Sequence, residues 1–368
     1  MNILFRVDAS IQLGSGHVMR CLALAERLRD QYANVKFISR LNKGNLNNFI
    51  MERGFDLIKL EKPSNKIDIE ELMKPDIQQY NKWLGVSEKQ DAQDTINCII
   101  DKKINWLIVD HYALGEKWGM QLRPFVKNIM VIDDLANRKY ECDLLLDQNY
   151  DENLKTRYNK LVPRKCIKLL GPKYALLRNE FSVLRKIIKP RKNFKKILIS
   201  FGGSDPTNET EKVLSAIKIL KTKKQFRKEV DVTISNSNKN KYKIKQLCNS
   251  IPNAKFYQNV YKIGKLMYKA DLAVGAGGSS TWERFCLGLP AIVSIVADHQ
   301  QETTEALAKK ECLINVGLAK NLSVKKYVEI FENLDIKKLQ NISKNSLKVV
   351  DGKGSVRVAK KIRLLQST

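Results

Sequence analysis

Short apolar runs alternate with stretches of helical periodicity along this chain, and the alternation starts afresh near the middle. Residues 3–8 (ILFRVD) read as a buried strand, LGSGH at 13–17 as a glycine turn, and Val18, Leu22, Ala25 and Leu28 fall at helical spacing. Further strands are predicted at 35–40, 56–60, 106–110, 129–134 and 143–149, with helices near 46–53 and 88–102. From about 155 to 194 the chain is basic and irregular, with Pro163, Pro172 and Pro190, which places a domain junction there. A second series follows: strands at 196–202, 229–235, 255–259, 271–277 and 289–296, separated by helical stretches, then a helical tail over 323–366. Strand and helix in strict alternation predict parallel sheets built from βαβ units. The 368 residues accommodate two such domains at roughly 100–200 residues each.

Charge divides the chain the same way. Residues 1–150 hold 21 Lys/Arg and 21 Asp/Glu, so the formal net charge of +27 lies wholly in residues 151–368. A basic half suits an anionic ligand by electrostatic steering, although +27 exceeds what one diphosphate requires. No apolar run reaches the roughly 18 residues of a membrane-spanning helix. The N-terminus does not read as a signal peptide. The seven cysteines form no CxxC pair and read as reduced thiols of a cytoplasmic protein.

Ligands of open parallel sheets bind beyond the carboxyl ends of the strands. Three glycine turns stand there: Gly14, Ser15 and Gly16; Gly203 and Ser204; and Gly277, Gly278, Ser279 and Ser280. Glycine allows close backbone approach, and a following helix offers its N–H groups to an anion. The two turns of the second half read together as a diphosphate cradle, although tight βα turns use glycine in any case. Neither is a Walker A loop or a GxGxxG fingerprint, which disfavours NAD. Glu283, about one helical turn beyond Ser279, is placed to accept both hydroxyls of a ribose. His17 opens a helix beside the first turn, where the positive helix end favours the neutral, proton-accepting imidazole that a general base needs. A histidine packed at a helix start would read the same. His111 could line the same crevice. Asp133 and Asp134 could hold a metal or cap a helix, and the three histidines lack metal-ligand spacing.

Taken together, FRVDASIQLGSGHVMRCLALA (5–25), WLGVS (83–87), WLIVDHYAL (106–114), VIDDLANR (131–138), CDLLLDQN (142–149), LGPKYALLRNEF (170–181), FGGSDP (201–206) and GAGGSSTWERFCLGLP (275–290) resemble a known family. It is that of the UDP-sugar hydrolases of pseudaminic acid biosynthesis, which act on UDP-2,4-diacetamido-2,4,6-trideoxy-β-L-altropyranose. The resemblance implies an α/β protein of the GT-B fold, two Rossmann-like domains facing each other across a cleft. Residues 1–180 would form the domain carrying the catalytic histidine, and 181–368 the UDP-binding domain with its basic helical tail. It further implies His17 as catalytic base, Tyr112 as an active-site tyrosine, and uracil held by backbone near Val260. The diphosphate would lie at Gly277, Gly278, Ser279 and Ser280, and the ribose on Glu283. His299–Gln300 stands where the family usually has Asn-Gln. The implied reaction is inverting hydrolysis at the anomeric carbon, with no metal and no cofactor. A GT-B sugar transferase or a UDP-sugar 2-epimerase would share this frame. The charge raises a nucleic-acid-binding protein as a further alternative, but no helix-turn-helix or RNA-recognition signature accompanies it. Oligomeric state is not legible.

Overall fold

The computed structural model describes residues 1–11, 13–61, 82–191, 193–203, 205–222 and 226–366. The chain forms two compact units: 1–149 with 153–178 and 354–368, and 150–152 with 179–353.

The first unit holds seven parallel strands: β1 (Asn2–Val7), β2 (Asn34–Arg40), β3 (Asp56–Leu60), β4 (Ile104–Asp110), β5 (Val126–Ile132), β6 (Leu144–Asp147) and β7 (Ile167–Leu170), in the order β3-β2-β1-β4-β5-β6-β7. Helices cover both faces, as a parallel sheet demands. Phe5, Val7 and Phe37 pack under the helix Gly16–Arg29, and Leu4, Leu107 and Val109 share the opposite core with Ala92 and Ile96 of the helix Glu88–Ile99. β1 and β4 are neighbours, with Val7 level with Asp110. The strand order reverses between them, so the segments leaving both strands open at one switch point.

The second unit holds β8 (Lys196–Ser200), β9 (Glu229–Ile234), β10 (Ala254–Gln258), β11 (Leu272–Ala276), β12 (Ala291–Ile295) and β13 (Ile314–Leu318), all parallel, in the order β10-β9-β8-β11-β12-β13. Its switch point lies between β8 and β11, where the glycine turns at 202–203 and 277–278 emerge.

Two features differ from the sequence reading. β7 and β13 were not predicted: IKLL and INVGL are sheet-edge strands too short to show a period of their own. The domain assignment of 181–368 is corrected at its end. The terminal helix Gly354–Gln366 belongs to the first unit, where Val358, Ala359 and Ile362 enter the core with Val18, Leu22 and Ala25. Ser355 Oγ also donates to Leu177 O at 2.9 Å. No helix among the described residues is long and apolar enough to cross a membrane.

Candidate functional site

The first switch point gathers one histidine and three charged groups. Gly14 makes the turn possible: its φ is +73°, and its N–H donates to Ser10 O at 2.9 Å, closing the loop before the helix. Ser15 is the N-cap residue without a side-chain cap, Gly16 begins the helix Gly16–Arg29, and His17 is buried in its first turn. The imidazole Nδ1 lies 2.6 Å from Asp110 Oδ1 at the end of β4. Arg20, one turn on, grips the same carboxylate through Nε and Nη2, both at 2.7 Å, and reaches Asp134 at 2.9 Å. Burial alone would raise the Asp110 pKa. The Arg20 charge, with the hydrogen bonds from Arg20 and His17, outweighs it and holds the carboxyl well below its usual range. An ionised carboxylate only accepts, so the Nδ1 proton points at Asp110 and Nε2 is left as the proton acceptor.

Tyr112 meets His17 edge to face, ring centroids 4.5 Å apart at 84°. Burial pushes its phenol pKa well up, and the Asp134 carboxylate, to which it donates, adds to the rise. Its hydroxyl therefore stays protonated. Asp133 accepts from Ala136 N (2.8 Å) and Tyr158 OH (2.9 Å) and thus ties the loop after β5. Among the described residues no three His, Cys, Asp or Glu gather as a metal site.

His111 does not join His17's hydrogen bonds. Its Nδ1 accepts from Ala113 N at 3.0 Å, and Nε2 stands 3.5 Å from Asp8 Oδ2, beside a buried lattice in which Arg6 bridges Asp8 and Asp91. Burial holds its pKa down to about 4, so it is neutral at pH 7. The unfolded imidazole takes a proton near pH 6.5 and the folded one only near 4. Its contribution is thus lost as pH falls through that window, by up to about 3 kcal/mol. Asp147 runs the other way: burial outweighs the pull of Arg157 and pushes it up to about 7, so it destabilises as pH rises from about 4 to 7. Thermal melts of wild type and His111→Gln should therefore diverge below pH 6.5, the variant losing less stability. Parallel curves would mean that His111 is not buried neutral.

In the second unit the two glycine turns differ. The turn after β8 leads to the helix Glu209–Thr222, whose first N–H groups are already taken: Asp205 accepts from Glu209 N and Thr210 N, both at 2.9 Å. The chain's own carboxylate fills this anion position, which corrects the reading of both turns as one open cradle. Gly203 O accepts from Ser235 Oγ at 2.5 Å, and Ser204 lies outside the described residues. Among the described residues, no carboxylate accepts from the N–H groups at the turn after β11. Ser279 is the N-cap of the helix Ser280–Cys286 and makes no side-chain cap. A Cβ on Gly277 would stand 2.4 Å from Thr304 Oγ1, so only glycine fits there, and one on Gly278 would be 3.7 Å from Gln300 Nε2. Gln300 is buried, with Oε1 accepting from Val296 N at 3.2 Å, whereas His299 beside it is exposed. Glu283 is half-buried in the first turn of that helix, and Val260 follows β10 in a loop. The structure brings together His17 and Tyr112, both named from the sequence, and adds Asp110 and Arg20, which were not named. The Asp-His-Tyr string and the His-x-x-Arg spacing were their signals.

Residues 197–360 match the model of the glycosyltransferase family 28 C-terminal domain. The chain is similar along 98% of its length to the crystal structure of MurG from Acinetobacter baumannii, covering 99% of it, at 12% identity and a TM-score of 0.63. This chain has the GT-B fold. It resembles the UDP-sugar hydrolases of the pseudaminic acid pathway. The UDP-2,4-diacetamido-2,4,6-trideoxy-beta-L-altropyranose hydrolase of Campylobacter jejuni is 27% identical over 312 residues, 84% of this chain and 97% of that protein. An uncharacterized protein of Methanocaldococcus jannaschii is 27% identical over 318 residues, 84% of this chain. The match spans only 59% of that archaeal relative.

Proposed function

We propose that this chain hydrolyses a UDP-linked 2,4-diacetamido-2,4,6-trideoxy sugar at its anomeric carbon, releasing UDP and the free sugar for pseudaminic acid biosynthesis. The observation that carries this reading is the His17–Asp110 pair, 2.6 Å apart with Arg20 fastening the carboxylate. It leaves a proton acceptor on an imidazole at a Rossmann switch point. The similarity to the Campylobacter hydrolase supplies the substrate class.

In this mechanism a water molecule gives one proton to His17 Nε2 while its oxygen bonds to the anomeric carbon. The bond from that carbon to the diphosphate oxygen breaks, and its electron pair leaves with UDP. His17 then releases its proton to solvent. Asp110 holds the reactive tautomer and balances the imidazolium as it forms. Tyr112 packs against the imidazole edge and limits its rotation. Attack opposite the leaving group inverts the anomeric centre. The diphosphate takes Gly277, Gly278, Ser279 and Ser280, with backbone N–H groups meeting the charge that develops on it. Glu283 takes the ribose, Val260 the uracil, and Gly203, Gln300 and His299 border the nucleotide. No metal is required, and the enzyme works in the cytoplasm.

NMR of the purified protein with the UDP-sugar alone, in EDTA, tests this reading. Free sugar should appear first as the anomer opposite to that of the substrate. No turnover without an added acceptor would favour a glycosyltransferase, the second reading that the family 28 match supports. Recovery on adding Mg²⁺ would remove metal independence. Glu283→Ala should weaken UDP binding about tenfold or more in calorimetry, in a variant that still melts cooperatively, because two charge-assisted hydrogen bonds are lost. Unchanged affinity would remove Glu283 from the ribose.

A further inference from the structure

Four arginines of this chain are almost wholly buried, and three of them answer to carboxylates. Arg6 meets Asp8 and Asp91, Arg40 meets Asp91 and Asp94, and Arg20 meets Asp110 and Asp134. Arg284 differs. It is 1% exposed, yet its guanidinium makes no ion pair among the described residues. Nη2 donates to Ala276 O at 2.8 Å and Thr281 Oγ1 at 2.9 Å, both neutral acceptors, and the buried Nε has no partner. Glu283, adjacent in sequence, is the carboxylate that acts on it electrostatically. Burial lowers its pKa only to about 10, so the charge persists at pH 7.

A buried charge without a counter-ion is costly. Arg191 shows how the fold satisfies a guanidinium by itself: its nitrogens reach the carbonyls of Met267, Ala270, Leu287 and Gly288. Arg284 has one carbonyl and one hydroxyl. It stands directly behind the turn after β11, with Nη1 2.8 Å from where a Cβ on Gly275 would lie. At the same turn the Thr304 hydroxyl, on a residue 1% exposed, also lacks a partner and abuts Gly277. A buried cation and an orphaned hydroxyl therefore flank the glycine turn after β11, where, among the described residues, no carboxylate accepts from the turn's N–H groups. The equivalent position after β8 already holds Asp205.

We infer that Arg284 is the built-in counter-charge of a phosphate group held at the Ala276–Ser280 turn, with Thr304 Oγ1 donating to the same anion. This rests on the reading that the turn carries the diphosphate of a nucleotide. The guanidinium acts from behind the backbone, so it is a positioning residue. It sets the potential at the turn without the flexible, solvated reach of a surface lysine.

Calorimetric titration of UDP and of uridine into wild type, Arg284→Met, Arg284→Lys and Thr304→Val tests it. Wild type should bind UDP more tightly than uridine. Arg284→Met should weaken UDP at least tenfold and leave uridine within about twofold, and Arg284→Lys should recover part of the loss. Thr304→Val should weaken UDP alone by several-fold. The melting temperature of unliganded Arg284→Met should equal or exceed that of wild type, because an unpaired buried charge has gone, while its rise on adding UDP shrinks. Arg284→Met with wild-type UDP affinity, or UDP and uridine weakened together, would overturn the inference. Should Arg284→Met not fold, Arg284→Lys and Thr304→Val decide in the same way. Wild type that does not distinguish UDP from uridine would instead sink the underlying nucleotide reading.

Discussion

His17→Asn should lower kcat by two orders of magnitude or more while UDP affinity stays nearly constant. The basis is the orientation of the ring. Asp110 Oδ1 sits 2.6 Å from Nδ1, so Nε2 is the acceptor, and an asparagine amide has no nitrogen that takes a proton at neutral pH. General-base catalysis contributes about 10²–10⁴-fold, which sets the size of the loss. Binding should survive because the proposed nucleotide residues, from Val260 to Gln300, belong to the second unit. Asparagine keeps a polar residue in the first helical turn, so the melting temperature should move little. Near-normal kcat in the variant would make His17 structural, and loss of UDP binding alongside kcat would give it another role.

The second large effect is expected at Asp110. In Asp110→Asn the amide group can turn its N–H₂ toward His17 Nδ1. That favours the tautomer with its proton on Nε2, which can no longer accept one. The side chain stays in place and the base is switched off. A fall in kcat of about 10²-fold or more is expected, with KM changed only a few-fold. The substitution also removes one of the two carboxylates that Arg20 grips, leaving Asp134. Some loss of stability should accompany it, about 3 kcal/mol by the usual cost of breaking a buried pair, read as a lower melting temperature. Stopped turnover in a variant that melts cooperatively and still binds UDP supports the tautomer role. Full kcat would show that His17 needs no partner to orient it.

Much of this protein could be read from its residues in order. The frame was legible because alternating strands and helices announce themselves over windows of six to fifteen residues. Gly14 before His17 and Gly277 before Ser279 were legible for a related reason: turns at strand ends carry a local composition. What the sequence could not display was which charges meet. Arg20 is one helical turn from His17, but Asp110 lies 93 residues away and arrives only because β4 pairs with β1. The sequence places His17 only beside a helix end, whereas its nearest charged neighbours in the structure are Asp110 and Arg20. The turn after β8 reads as open to an anion, yet Asp205, at a φ of +42°, closes it by a local contact to the N–H groups of Glu209 and Thr210 four and five residues on.

The terminal helix makes the same point about long-range packing. Its sequence, GSVRVAKKIRLLQ, continues a basic tail without any signal of change, and it sits among helices of the second unit in chain order. Only the packing of its apolar stripe, Val358, Ala359 and Ile362, on the apolar face of the helix Gly16–Arg29 decides that it joins the first unit. The charge of Arg284 is likewise plain in the sequence, while its lack of a carboxylate is not. Periodicity and turn chemistry are local properties and act through neighbours in the chain. Ion pairing, burial and domain membership depend on which distant segments the sheet brings side by side.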